Sequence, residues 1–328
     1  MTITVPLIQR LTRKQWIALI AGFAALTLLV MVWRWGGTVE DSLAYFNTTR
    51  YLRGEIPFSE LRAPFPYRLL VPALAALIPG DARQSFALLN WLCMSAASCM
   101  VALAMLRVGA SRKTAVIAGL MLILSVPTFW YAPYLLTDPG SICARAAFVL
   151  AVLSGQPWLA ALAGITATAV REENILLLFW LLAMRRIAIL PGLAALGIAG
   201  CWILAVRWWL LPGLPSYIWA PSINTVITAL HDVKSLASLA AGVGIVLPLA
   251  LLGLRRAAPA LQPLKSLLLL MVLPPLYAAL CVRVDGRAIW GLYPMLIPFA
   301  CTSGLAALGT MFSGKPAKKS AAGEGGAA

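Results

Sequence analysis

Residues 16–33 read WIALIAGFAALTLLVMVW, an uncharged apolar run within the roughly 17–25 residues that a helix needs to cross a bilayer. Runs of this kind recur along the chain, so each must end buried in lipid or in other helices. Composition agrees. Hydrophobic residues make up 61% and charged residues 11%, against roughly 45–50% and 25% in a soluble domain. The chain therefore reads as an all-α polytopic membrane protein, with a single transmembrane domain over 1–312. The expected spans are 16–35, 84–106, 114–131, 141–154, 157–170, 174–184, 187–211, 236–254, 266–281 and 289–312. Ten crossings place both termini on one side. The tail 313–328, rich in Gly, Ala and Lys, has a disordered composition.

Charge placement gives the orientation. The net charge of +15 is not a nucleic-acid footprint, because Lys and Arg gather in short breaks between spans: Arg107/Arg112/Lys113, Arg185/Arg186, Arg255/Arg256/Lys265 and the tail lysines. By the positive-inside rule these breaks face the cytoplasm. Arg10, Arg13 and Lys14 precede the first span, and no A-x-A-like site follows it, so it reads as a retained signal-anchor. Every acid except Glu324 then lies on or near the outer side. The six cysteines form no C-x-x-C pair and read as packing residues. No phosphate-binding loop is present.

Residues 157–184, PWLAALAGITATAVREENILLLFWLLAM, would make one helix of about 42 Å. That drawing sets Arg171, Glu172 and Glu173 at mid-membrane and reverses every later loop, against the positive-inside rule. A break at Arg171–Asn174 restores the topology. It leaves two helices too short to span alone, with a charged corner in a protein-walled cavity below the outer surface. Ionisable groups at that depth mark a site by default. The simpler alternative is that Arg171 and Glu172 only neutralise each other.

The first outer loop, 36–83, is the longest segment between spans. It opens on the acid pair Glu40 and Asp41. Leu43, Tyr45, Phe46, Tyr51 and Leu52 then alternate with polar groups as in an interfacial amphipathic helix. Ala63–Pro79 is too short to cross, and reads as interfacial or shallowly re-entrant. Asp138, in YAPYLLTDPGS, stands where a helix-capping acid would. Arg283, Asp285 and Arg287 in VRVDGRAIWGLYP suit a phosphate, or a solvated loop anchored at the interface by Trp290 and Tyr293.

The order of these pieces resembles the GT-C-type integral-membrane glycosyltransferases: an acid pair outside the first span, a loop with an amphipathic helix and a Pro-Tyr-Arg re-entry, T-D-P, a short helix ending in Arg-Glu, and Asp-Gly-Arg before Tyr-Pro. The resemblance covers 30–190 best and 280–300 more weakly. It implies a bacterial inner-membrane enzyme that takes a sugar from a polyprenyl-phosphate carrier on the outer face. Asp41, or Glu40 beside it, matches the family's catalytic acid. In some members that acid helps bind a divalent metal, so Mg or Mn held by Asp41 and Asp138 is a candidate cofactor. The chain lacks the soluble domain of larger members, which favours a lipid or glycan acceptor over a protein.

Displacement at an anomeric carbon needs a carboxylate near the acceptor hydroxyl and positive charge near the departing phosphate. Glu40 or Asp41 would supply the first. Arg68, Arg171, Arg283 or Arg287 would supply the second, with Asp138 and Glu172 completing the substrate contacts. Two rivals stay open: a transporter or flippase for an anionic lipid or sugar switched by Arg171–Glu172, and a non-catalytic scaffold of the same fold.

Overall fold

The computed structural model describes residues 11–39, 41–215 and 220–304. Glu40 and the tail from Ser313 lie outside them. Among the described residues the chain is helical, and its only extended pairing is a bridge between Gly37 and Tyr134. In chain order the helices are α1 Arg13–Met31, α2 Ser42–Leu52, α3 Leu70–Leu77, α4 Ala82–Arg107, α5 Arg112–Ile123, α6 Val126–Tyr131, α7 Asp138–Leu153, α8 Pro157–Val170 and α9 Ile175–Ala183. The second half holds α10 Ile189–Ala205, α11 Ile223–His231, α12 Val233–Val243, α13 Val246–Arg255, α14 Gln262–Met271, α15 Leu273–Cys281, α16 Gly286–Trp290 and α17 Tyr293–Phe299.

Local sequence sets many of the helix starts. Thr12 and Gln15 form a reciprocal capping box at α1, satisfying two N–H groups that the helix itself leaves open. Asp81 caps α4, Ser111 caps α5 and Ser125 caps α6.

Four helical stretches are long and apolar enough to cross a membrane: Arg13–Arg34, Ala82–Arg107, Ile189–Leu210 and Pro259–Cys281. A fifth results if α11 and α12, bent by 95° at their junction, count as one span. The expected spans 114–131, 141–154, 157–170, 174–184 and 236–254 are shorter or broken helices, as is the described part of 289–312, up to Gly304; the rest of that span lies outside the described residues. The interruptions have local causes. Ser125 and Pro127 start a new helix after Ile123, and Gly244 has a positive φ of 45° between α12 and α13, a conformation open to glycine. Leu77, Leu190, Trp209, Val233 and Leu269 are each at least 75% exposed. So much bare apolar surface belongs in lipid and not in water, and this is a helical membrane protein.

The core is built on α4, which packs against α1, α3, α5 and α7, while α7 packs in turn on α8. The expected interfacial aromatics differ from expectation. Trp290 and Tyr293 are fully buried; the Trp290 indole donates to Thr128 at 3.0 Å and the Tyr293 hydroxyl to the Gly242 carbonyl at 3.0 Å. Burial with satisfied polar tips makes them core residues. Tyr45, expected on an interfacial face, is also buried, so that side of α2 covers protein.

Candidate functional site

Two turns distant in sequence are tied together at the edge of the bundle. Gly36 adopts a positive φ of 68° and donates to the Pro133 carbonyl at 3.1 Å, while Leu135 donates to the Gly37 carbonyl at 3.1 Å. From α4, the Asn90 amide donates to the carbonyls of Tyr134 and Leu136, at 2.9 and 3.1 Å. These bonds set the residues before α2 beside those before α7. Asp41 and Asp138 are thereby brought to one place. Asp138 does not cap α7: the capping position is Thr137, with no side-chain cap bond, and Asp138 accepts from Arg171 Nη1 at 2.5 Å.

Arg287 arrives at the same place from near the other end of the chain. Its Nη2 donates to Asp41 Oδ2 at 2.6 Å, and its Nε lies 3.8 Å from Asp285 Oδ2 and 4.0 Å from Asp138 Oδ2. Three carboxylates therefore face one guanidinium.

The break between α8 and α9 builds the inner side of the cluster. Arg171 is extended, with φ −148° and ψ 124°, and a single 3-10 turn, Glu172–Asn174, leads into α9. The Asn174 amide donates to the Ala167 carbonyl at 2.9 Å, which also accepts from the Arg171 N–H at 2.9 Å, so the turn is tied back to the end of α8. Asn174 Oδ1 accepts from Arg145 Nε at 2.6 Å. The expected Arg171–Glu172 pair is not formed. Arg171 pairs with Asp138 and with Glu173 at 2.6 Å, and Glu172 pairs with Arg207 at 2.5 Å. The extended residue followed by a tight turn sends successive side chains to different walls.

These groups line a cavity of about 570 Å³. Among its walls are Arg68, Arg145, Arg171, Arg207 and Arg287, opposed by Asp138, Glu172 and Glu173. Arg68 donates to the Tyr45 hydroxyl at 2.5 Å, and no carboxylate among the described residues pairs with it. Arg68 Nε and Asp138 Oδ2 are buried without a hydrogen-bond partner. Both atoms are sealed from the cavity, Asp138 Oδ2 lies 4.0 Å from Arg287 Nε, and a buried polar atom without a hydrogen bond is costly to the fold. Arg283 does not line this cavity; it pairs with Asp285 at 2.9 Å and is 41% exposed. Asp41 faces a second, smaller cavity of about 350 Å³ with Asn47, Arg62 and Phe65.

Burial alone would raise the Asp41 carboxyl, but Arg287, aided by Arg283 and Arg68, holds it below its usual value. Asp285 behaves alike: burial opposes its charge, while the Arg287 guanidinium and backbone N–H, with Arg283, bring it below the ordinary carboxylate range. Both are anionic at neutral pH. The expected metal ligands Asp41 and Asp138 are each engaged by a guanidinium, and no group of three or more His, Cys, Asp or Glu residues suited to a metal occurs among the described residues. Each of these carboxylates is hydrogen-bonded to arginine through one oxygen, Asp41 Oδ2 and Asp138 Oδ1, so a divalent cation there would share both with arginine.

Of the expected site residues, the fold brings together Asp41, Arg68, Asp138, Arg171, Glu172 and Arg287, and leaves Arg283 at the rim. Sequence reasoning passed over Arg145 and Arg207, and had Glu173 and Asn174 only as parts of the charged break. A single arginine inside an apolar run is itself a signal, and Arg145 and Arg207 both carry it. The fold and site define a helical membrane protein with a buried ion-pair cluster at a charged cavity. No protein-family model matches the sequence, and a comparison with curated proteins finds no match.

Proposed function

We propose that the protein is a GT-C-type membrane glycosyltransferase that moves a sugar from a polyprenyl-phosphate carrier to a hydroxyl of a lipid or glycan acceptor, on the outer face of a bacterial inner membrane. One observation carries the reading: a charged cavity lined by Arg68, which pairs with no carboxylate among the described residues, and by Arg287, whose guanidinium is bonded to Asp41, a carboxylate that opens to a separate cavity. Arg68 would hold the carrier phosphate, and the Asp138 carboxylate would accept from a sugar hydroxyl. Asp41 would take the acceptor's proton as its oxygen bonds to the anomeric carbon, while the phosphate leaves with the bonding electron pair. Arg287 keeps Asp41 ionised. Ten crossings with both termini inside, the shorter helices completing the span as broken pairs, are the topology that the basic breaks support.

The test is transfer of labelled sugar from polyprenyl-phosphate donors by purified full-length protein, with envelope glycans and lipids as acceptors. Transfer that is lost in Arg68→Gln is the expected result, and the same assay with a chelator reads whether a divalent metal takes part. The transporter reading draws on the ion pairs at the α8–α9 break, a place where switching charges would sit. Carrier-dependent flux into sealed vesicles without transfer would favour it.

A further inference from the structure

Helix α7 separates two cavities. Asp138, Ser141 and Arg145 on one face line the charged cavity, while Gly140, Cys143, Ala147 and Leu150 line another of about 570 Å³. This second cavity is walled also by α4 and α8, and its walls are apolar over most of their area. From Gly140 to Ser154 it runs about 21 Å at 1.5 Å per residue.

Its polarity lies at one end. Arg107 closes α4, Ser154 follows α7 and Gln156 precedes α8, and all three line the same mouth. Thr166, the other hydroxyl in the lining, turns back to donate to the Leu162 carbonyl at 3.0 Å. The opposite end is shut by α3: Val71 lies so close to α7 that a Cβ on Gly140 would meet its Cγ2 at 2.5 Å. Arg107 is exposed and makes no hydrogen bond or ion pair among the described residues. An apolar slot with a free cation and two polar side chains at its open end is complementary to an amphiphile with an anionic head.

The geometry points to a binding site for an anionic glycerophospholipid, with one acyl chain between α4, α7 and α8 and its phosphate at Arg107, Ser154 and Gln156. The carrier proposed for the charged cavity does not suit this slot. Its phosphate would lie near Arg68, across α7 and at the other end of the helix. The site is therefore independent of the transfer reading and of which leaflet Arg107 faces.

The experiment uses full-length protein in detergent micelles doped with phosphatidylglycerol carrying a diazirine in one acyl chain, beside phosphatidylcholine of the same chain, with adducts mapped by peptide mass spectrometry. Phosphatidylglycerol is expected to label Met100, Leu103 and Leu150 about fivefold more than phosphatidylcholine, in line with one arginine at an anionic head. Arg107→Gln, at an exposed position, should bring the two lipids level. Ala147→Trp, which fills the slot, should remove both sets of adducts. Equal labelling by the two lipids in the unaltered protein would overturn the site. So would selectivity that persists in Arg107→Gln, or adducts displaced by unlabelled polyprenyl phosphate and not by phosphatidylglycerol.

Discussion

Arg287 meets Asp41 at 2.6 Å and stands within 4.0 Å of both Asp138 and Asp285. Removing it would leave three carboxylates facing one another with little water, which costs far more than one surface ion pair. The same geometry fixes a pH dependence. Asp41 and Asp285 have folded values depressed below their usual 3.8. The stabilisation they lend is therefore complete above about pH 3.8 and is lost as pH falls through the lower folded values. Thermal stability should hold steady from these groups between pH 8 and 5 and drop under stronger acid. Asp41→Asn should blunt that acid loss, and a melting profile unchanged in shape would count against the pair. Arg145 carried the signal of a lone arginine in an apolar run, but its partners were not legible in sequence. Its partners, Asn174 and the Gly291 carbonyl at 2.9 Å, come from elements far along the chain.

At the level of elements, close approach of backbones holds the site's C-terminal half. Helices α12 and α16 cross at Gly242 and Gly286, where a Cβ on Gly286 would lie 1.8 Å from the Ser238 carbonyl oxygen. Ser238 also donates to Asp285 at 3.0 Å and accepts from the Gly286 N–H at 3.0 Å. Gly286→Ala must push α16 away, and should destabilise the protein by about 1–3 kcal/mol as overpacking does. It should also weaken transfer by shifting Arg287; a variant with unaltered melting temperature would refute the close crossing. The helical class and the break after Val170 could be read from apolar runs and from the charges between them. Partner choice at the break could not, since Arg171 reaching Asp138 and Glu173 depends on an extended residue and a one-turn 3-10 helix. Nor could the burial of Trp290 and Tyr293, because an aromatic near a span end looks the same in sequence whether it faces headgroups or a neighbouring helix.

For the whole molecule, sidedness is the first test. In a background lacking the exposed Cys201, cysteines at Ser59 and Ser222 should react with an impermeant thiol reagent from outside, and cysteines at Lys113 and Ala258 should not. Outside labelling at Ala258 would contradict the ten-crossing topology. The second is the meeting of Asp41 with Arg287, which folds the first loop onto the last helices and sets a carboxylate against a guanidinium that also lines the charged cavity. Sugar transfer from a polyprenyl-phosphate donor, compared in unaltered protein, Asp41→Asn and Glu40→Gln, examines that meeting most directly. Asp41→Asn keeps the side chain's size and most of its hydrogen bonding but removes the basic oxygen. The account predicts a fold that persists and turnover that falls on the order of a hundredfold or more. Turnover like that of the unaltered protein in both variants would contradict it.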